Sequence, residues 1–390
     1  MLAFAAARLL TPNQAIEHPL LLVEQGRVID IVSCSTRQLP AGVLATEFGS
    51  SLIAPGYVDL HIHGSSGYDV MDDSPEALPA IERFLARHGV TSYFPTTVTA
   101  PLDRTLRSLE HLADAIETCE HKKEDRQSSR AVPLGIHLEG PFLSHARRGV
   151  HPPEHLLPAR LETFERLWQA ARGHIRMMTI APETDGALEL IAAAAVRGVC
   201  VSLGHSDADF ATTERAVTAG ARHATHTFNA MRPFDHRDPG IVGAILADDR
   251  ITADIIADGV HLDPSVVKLF ARAKDPENTV LITDATAATG MPDGIYHLGT
   301  HQIKVRDGKC TSGGKLAGSV LTMDRAVRSL ARFAEWELPQ AIAAASRNPA
   351  RVVGTTNKGV LAPGADADFV VLNEQGEVLR TFIGGVECST

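Results

Sequence analysis

The 390-residue chain has only five cysteines, Cys34, Cys119, Cys200, Cys310 and Cys388, and no two form a CxxC pair. That scatter excludes a disulfide framework and a cysteine zinc knuckle, and it reads as reduced thiols in the cytoplasm. No stretch approaches the roughly 20 uncharged apolar residues that a membrane-spanning helix needs. The opening MLAFAAARLLTPNQ lacks a basic segment ahead of its apolar part, and Arg8 interrupts the run, so it reads as a first β-strand rather than a signal peptide. No GxGxxG follows an early strand, which counts against dinucleotide binding. Positive charge is also short: 37 Lys and Arg stand against 47 Asp and Glu, leaving a net charge of −10. Such a chain is a poor general binder of nucleic acid or anionic membrane, and an anionic substrate would need a local cationic pocket.

What is present is apolar content, at 44%, enough for one large domain and a smaller one. LLVEQGRVIDIV (21–32) has the pattern of a hairpin around Gln25-Gly26, and the far end repeats it in ADADFVVLNEQGEVLRTFIGGVEC (365–388) around Gln375-Gly376. Two strand-rich ends predict that the termini pair into a small β-sandwich, residues 1–54 with 361–390. Between them, short apolar runs alternate with helical segments: YVDLH, SYFPTT, PLGIHLE, RMMTIAP, CVSLGH, ATHTF, ADIIAD and VLITDA. Eight such units over residues 55–360 predict a (β/α)8 TIM barrel, an α/β fold, rather than an open doubly wound sheet. Ser74-Pro75 reads as the start of a first helix with Leu78, Ile81 and Leu85 as its apolar stripe, and Ser206-x-x-Asp209 resembles a capping box. HKKEDRQSSR (121–130) reads as a charged surface loop.

Functional side chains of such barrels sit at the C-terminal ends of the strands. There the sequence places His61 and His63, Glu139, His205, His226 and Asp284, four imidazoles and two carboxylates. His61 and His63 are two residues apart and share one face of a strand. A lone histidine at a strand end is usually structural, but this set suits Zn²⁺, Fe²⁺, Mn²⁺ or Co²⁺. A metal with an open position lowers the pKa of its water toward about 7, arming it against a carbonyl. Asp284 is the candidate to take the proton and pass it to a leaving nitrogen, against the plainer reading of a turn or N-cap aspartate in TDAT.

At these residues the chain resembles the amidohydrolase superfamily, and within it the family of N-acetylglucosamine-6-phosphate deacetylases. The resemblance runs through APGYVDLHIHG, HLEGPF, SLGHS, THTFNAM, DPGIVGAILAD, ADGVHLD, LITDA, LAGSVLTMD and SRNPARVVG to KGVLAPGADADFVVL. HxH alone indicates only the superfamily, whereas HLEGP, THTFNAM and ADGVHLD together are far more specific. The resemblance implies Glu139, His205 and His226 as the main metal ligands and Asp284 as the catalytic acid/base. It implies His151, after Val150 in RRGVHPP, as a contact to the acetyl carbonyl, although members often have Asn where this chain has Pro152. Asn229 and Ala230 match sugar-phosphate contacts, Arg237 and His261 the phosphate grip, and Leu316, Ala317 and Gly318 the lining of the sugar pocket.

Some members replace both HxH histidines and keep a single metal. Both remain here, compatible with two ions bridged by Glu139, and the fourth strand has no lysine to serve as the alternative bridge. The resemblance further implies a phosphorylated amino sugar as substrate, a homodimer and a cytoplasmic enzyme. N-acetylgalactosamine 6-phosphate stays open as the alternative substrate. A dihydroorotase-like amidase lacks the lysine it would need, and a catalytically dead scaffold should have lost ligands.

Overall fold

The computed structural model describes residues 1–11, 14–33, 43–121 and 129–388. Cys34 and residues 122–128 of the charged run lie outside them. The eight anticipated runs form the eight barrel strands: β1 (Tyr57–Ile62), β2 (Val90–Thr97), β3 (Ile136–Glu139), β4 (Ile175–Ile180), β5 (Cys200–Leu203), β6 (His223–Ala224), β7 (Thr252–Ile255) and β8 (Thr279–Leu281). Neighbours pair in parallel in chain order. The ring closes just beyond β8, where Ile62 bridges Ala285, the Asp284 N–H donates to the His61 carbonyl at 2.9 Å, and the His63 N–H donates to the Ala285 carbonyl at 2.8 Å. Ile136, Met177, Val201, Ala253 and Leu281 are fully buried, so the barrel is a packed core with function left to its mouth.

Strands from both ends of the chain meet in one six-stranded sheet. Its middle is Leu52–Pro55, antiparallel to Phe369–Leu372 and parallel to Arg8–Leu10. A four-stranded sheet that includes Leu2–Ala5 and Pro19–Glu24 packs over it through Phe4, Leu21, Ile53, Phe369 and Phe382. Phe369 stacks on Phe382 at 4.4 Å between centroids, and Phe4 meets Phe369 edge-on at 4.9 Å. Both anticipated hairpins form, and Gln25 (φ 49°) with Gly26 (φ 74°) supplies the pair of left-handed residues that a tight two-residue turn demands.

Two local expectations differ, and one element was not anticipated. The first helix, α1 (Ala77–Arg87), starts two residues past Ser74-Pro75, but it buries Ile81 and Leu85 as expected. Asp209, not Ser206, caps α2 (Phe210–Ala219), accepting from the Thr212 N–H at 2.7 Å, while the Ser206 hydroxyl donates to Glu183. Between β8 and α3 (Met323–Ala334), residues 294–316 form a four-stranded antiparallel sheet that ends at Leu316.

Candidate metal and hydrolase site

The side chains of His61, His63, Glu139, His151, His205, His226 and Asp284 converge at the C-terminal mouth of the barrel, all of them buried. The two imidazoles at the end of β1 do share a face, with their Nε2 atoms 3.1 Å apart. Glu139, at the end of β3, stands at the centre. Its Oε1 is 3.2 Å from Nε2 of both His205 and His226, and its Oε2 is 3.5 Å from His61, 3.4 Å from His63 and 3.6 Å from His151. Asp284 Oδ1 is 3.1 Å from His63 and 3.5 Å from His61. His61, His63 and Asp284 form one group able to hold a cation, and Glu139, His151 and His205 another.

Backbone conformation aims several of these groups. His205 (φ 48°), His226 (φ 31°) and Asp284 (φ 49°) lie past the ends of β5, β6 and β8 in the left-handed region, sparsely populated by non-glycine residues and common at functional sites. Gly318 (φ 61°) closes in from the other side. A Cβ there would sit 2.9 Å from the Asp284 carbonyl oxygen and 3.6 Å from Asp284 Oδ1. The next residue clamps the same segment: the Ser319 N–H donates to the Asp284 carbonyl at 2.7 Å, and the Ser319 hydroxyl donates to the Thr283 carbonyl at 2.6 Å.

The second ring nitrogens reveal what each imidazole offers. His63 Nδ1–H donates to the Thr96 carbonyl at 2.9 Å, and His205 Nδ1–H donates to the Arg147 carbonyl at 3.0 Å. In their neutral forms both rings therefore turn a bare Nε2 lone pair toward the carboxylates. Acceptors that face acceptors at such distances require a positive centre between them, and a divalent cation fits this donor set of imidazoles and carboxylates. His151 differs. Its Nδ1 accepts from the Thr99 N–H at 3.2 Å, so its proton sits on Nε2 and points into the mouth as a donor.

The electrostatics agree. Burial works against the ionised form of Glu139, and the surrounding imidazoles, His61 first, override it and hold its carboxyl well below the ordinary range. Asp284 is likewise held low against its burial, first by the His63 hydrogen bond. Burial opposes charge on His63 and His226, yet the carboxylates raise both to about 9, Asp284 acting on the first and Glu139 on the second. On His205 burial wins and lowers the pKa to about 4. The cluster thus stabilises positive charge at its centre, as a proton or as a metal ion, and the two compete.

The remaining anticipated residues spread outward. Asn229 and Ala230 lie three and four residues past His226, and the Asn229 side chain donates to the His226 carbonyl at 3.2 Å. Val150 is half-buried beside His151, Ala317 is buried, and Leu316 is exposed. His261 is held by Asp258, which accepts from its N–H and its Nδ1–H at 2.8 Å each. Arg237 is exposed on the loop before α4 (Gly240–Ala247). Asp238 pairs instead with Arg232 and Asp235 with His236, so the guanidinium of Arg237 has no ion-pair partner among the described residues. No hydrogen bond or ion pair among those residues joins Arg237, His261 or Leu316 to the central cluster.

Sequence reasoning passed over Asp59, Thr99, His137 and Asp254. The imidazole of His137 is 4.7 Å from that of His61, but it donates from Nδ1 to the Leu60 carbonyl at 3.0 Å and accepts at Nε2 from the Thr179 hydroxyl at 2.7 Å. Both nitrogens are spent, and burial lowers its pKa well below the ordinary value. Its one signal was position, two residues before Glu139 on the same strand face.

The profile of the amidohydrolase family matches residues 52–388. An N-acetylglucosamine-6-phosphate deacetylase of Bacillus subtilis is 36% identical over 97% of this chain and 94% of its own length. An N-acetylgalactosamine-6-phosphate deacetylase of Escherichia coli O157:H7 is 38% identical over 94% and 96%. The crystal structure of N-acetyl-D-glucosamine-6-phosphate deacetylase from Mycobacterium smegmatis superposes with a TM-score of 0.92 at 33% identity, covering all of both chains. With the family profile spanning barrel and mouth alike, the chain belongs to the amidohydrolase family.

Proposed function

We propose that this protein hydrolyses the acetamide of N-acetyl-D-glucosamine 6-phosphate, releasing acetate and D-glucosamine 6-phosphate. The observation that carries the reading is the arrangement around Glu139, with metal-type imidazoles on both of its oxygens and an N–H donor, His151, beside them. Its likeness to deacetylases of N-acetylated hexosamine 6-phosphates supports the substrate class.

Glu139, His205 and His226 would hold one divalent cation. His61 and His63, with Asp284 and the second oxygen of Glu139, would hold another. Zinc suits imidazole and carboxylate best, with iron, manganese and cobalt as alternatives. A bound divalent cation supplies Lewis acidity that lowers the pKa of water and polarises the acetyl carbonyl. Asp284 accepts a proton from the attacking water. As the water oxygen bonds to the carbonyl carbon, His151 Nε2–H donates to the oxygen that gains charge. Asp284 then delivers its proton to the nitrogen as the carbon–nitrogen bond breaks, so acetate and a free amine leave.

Around the reacting groups, Val150, Asn229, Ala230, Leu316, Ala317 and Gly318 shape the sugar pocket. Arg237 and His261 grip the phosphate. The guanidinium of Arg237, unpaired among the described residues, supports that role, since Arg offers a fixed planar fork to phosphate oxygens. A cytoplasmic homodimer completes the reading. No helix among the described residues is long and apolar enough to cross a membrane.

The test is acetate release from N-acetylglucosamine and N-acetylgalactosamine, each with and without a 6-phosphate, on protein of measured metal content. The gluco-configured phosphate should be the best substrate. Preference for the galacto epimer would move the assignment to the activity named for the Escherichia coli relative, and no release from any of the four would overturn it.

A further inference from the structure

Two of the four ligand-type histidines are oriented through their own rings, as described for His63 and His205. The other two are not. Nδ1 of His61 and of His226 is buried with no hydrogen-bond partner among the described residues. A metal-binding imidazole ordinarily donates its second N–H to a carbonyl or carboxylate, which fixes the tautomer and the angle of the ring. Something else must therefore aim His226, and its strained φ of 31° makes the need greater.

Asp254, fully buried on β7, fills that place. Its Oδ1 accepts the backbone N–H of His226 and its carbonyl accepts the N–H of Thr227 at 2.9 Å. Its Oδ2 accepts from His223 Nε2–H at 2.9 Å, and His223 Nδ1 faces the Thr252 hydroxyl at 2.7 Å. The carboxylate is thus gripped from below by a buried imidazole, with one oxygen left for a single backbone amide. His61, the other imidazole without a ring partner, repeats the pattern: its backbone N–H lies 3.3 Å from Oδ1 of buried Asp59.

We propose that Asp254 is a positioning residue for the metal site. It holds the backbone of His226 in the left-handed conformation that aims Nε2 at Glu139, in place of the ring contact that His226 lacks. The proposal rests on His226 being a metal ligand, as argued above.

The test is titration of the metal-free full-length protein with Co²⁺, followed by visible absorption, with circular dichroism to check folding. Wild type should bind Co²⁺ stoichiometrically and His226→Ala should bind it far more weakly; if either result fails, the metal assignment falls. Given both, Asp254→Ala should fold and lose about 10- to 100-fold in Co²⁺ affinity. Asp254→Asn should restore most of it, because its Oδ1 still accepts from His226 while its amide donates to His223 Nε2, the His223 proton moving to Nδ1. Should Asp254→Ala not fold, the double variant His223→Leu/Asp254→Leu replaces the buried polar pair with apolar side chains and removes only the clamp. It should show the same loss. Wild-type affinity in whichever of these two variants folds, or an Asn variant as weak as Ala, overturns the proposal. So does failure of both to fold, which would make the pair a folding determinant only.

Discussion

The backbone N–H of Thr99 donates to Nδ1 of His151 across 3.2 Å, and the Thr99 hydroxyl oxygen lies 2.9 Å from the same nitrogen. A ring nitrogen that accepts a hydrogen bond cannot carry the proton of a neutral imidazole, so His151 presents Nε2–H to the mouth of the barrel. That separates it from His63 and His205, whose Nδ1–H donates to backbone carbonyls. His151→Ala should therefore keep its full metal content while kcat falls by about 10²- to 10³-fold, the usual cost of one oxyanion donor. Metal analysis beside acetate-release kinetics checks this, and a variant that lost metal would make His151 a ligand instead.

Asp284 lies within 3.5 Å of both β1 imidazoles, yet its proposed work is proton transfer. Asp284→Asn keeps size and one acceptor oxygen while abolishing basicity. Turnover should drop by about 10²- to 10⁴-fold with metal still bound and the circular dichroism spectrum unchanged. Turnover within a few fold of wild type would remove Asp284 from the mechanism.

Arg237 is exposed and without an ion-pair partner among the described residues, whereas nearby Arg232 is tied to Asp238. Loss of a charge-assisted contact of about 1.5–3 kcal/mol corresponds to roughly 10- to 100-fold. Arg237→Ala should raise KM for the phosphorylated sugar by that factor and leave kcat/KM for the unphosphorylated sugar nearly unchanged. Equal losses on both substrates would refute the phosphate role.

A structural carboxylate supplies a pH test away from the mouth. Asp324, in the first turn of α3, is 3.1 Å from Nδ1 of His88, at the end of α1, and 3.1 Å from Arg328. Burial pushes its carboxyl up, but the hydrogen bond of His88 and the nearby positive charges override this and lower the pKa to about 2. A carboxyl depressed from about 3.9 in the unfolded chain contributes its stability fully above pH ~4 and loses it as pH falls through about 2. Asp324→Asn should cost about 2 kcal/mol at pH 7, with the gap to wild type closing between pH ~4 and ~2. Urea unfolding of the metal-free proteins across that range measures it; a gap independent of pH would show that ionisation of Asp324 contributes nothing.

The barrel and the centre of its site were legible because their signals are repetitive or chemically costly. Eight apolar runs in alternation leave few architectures, and imidazoles and carboxylates at the ends of five of them have little reason to be there except chemistry. Asp59 and Asp254 were not legible, since one polar residue inside an apolar strand has no periodicity to mark it and its partners lie on neighbouring strands. The tautomer of His151 depends on a backbone amide distant in sequence, Thr99, which no motif encodes. The left-handed backbone at His205, His226 and Asp284 went unseen for a simpler reason, because glycine, the usual marker of positive φ, is absent from those positions. The sheet of residues 294–316 was not read from the sequence, and its strands lie between β8 and α3, outside the alternation that marks the barrel.

The strand Leu52–Pro55 runs straight into β1, yet its antiparallel neighbour, Phe369–Leu372, leaves a ribosome only after all eight barrel strands. Until then one edge of that strand, apolar throughout, keeps its amides and carbonyls unanswered beside a barrel whose every strand has already emerged, the kind of bare edge that invites pairing with another chain. A nascent or C-terminally truncated chain therefore carries its greatest hazard of misassociation at the base of the HxH strand, so an assay of truncated forms should score aggregation before it scores lost activity.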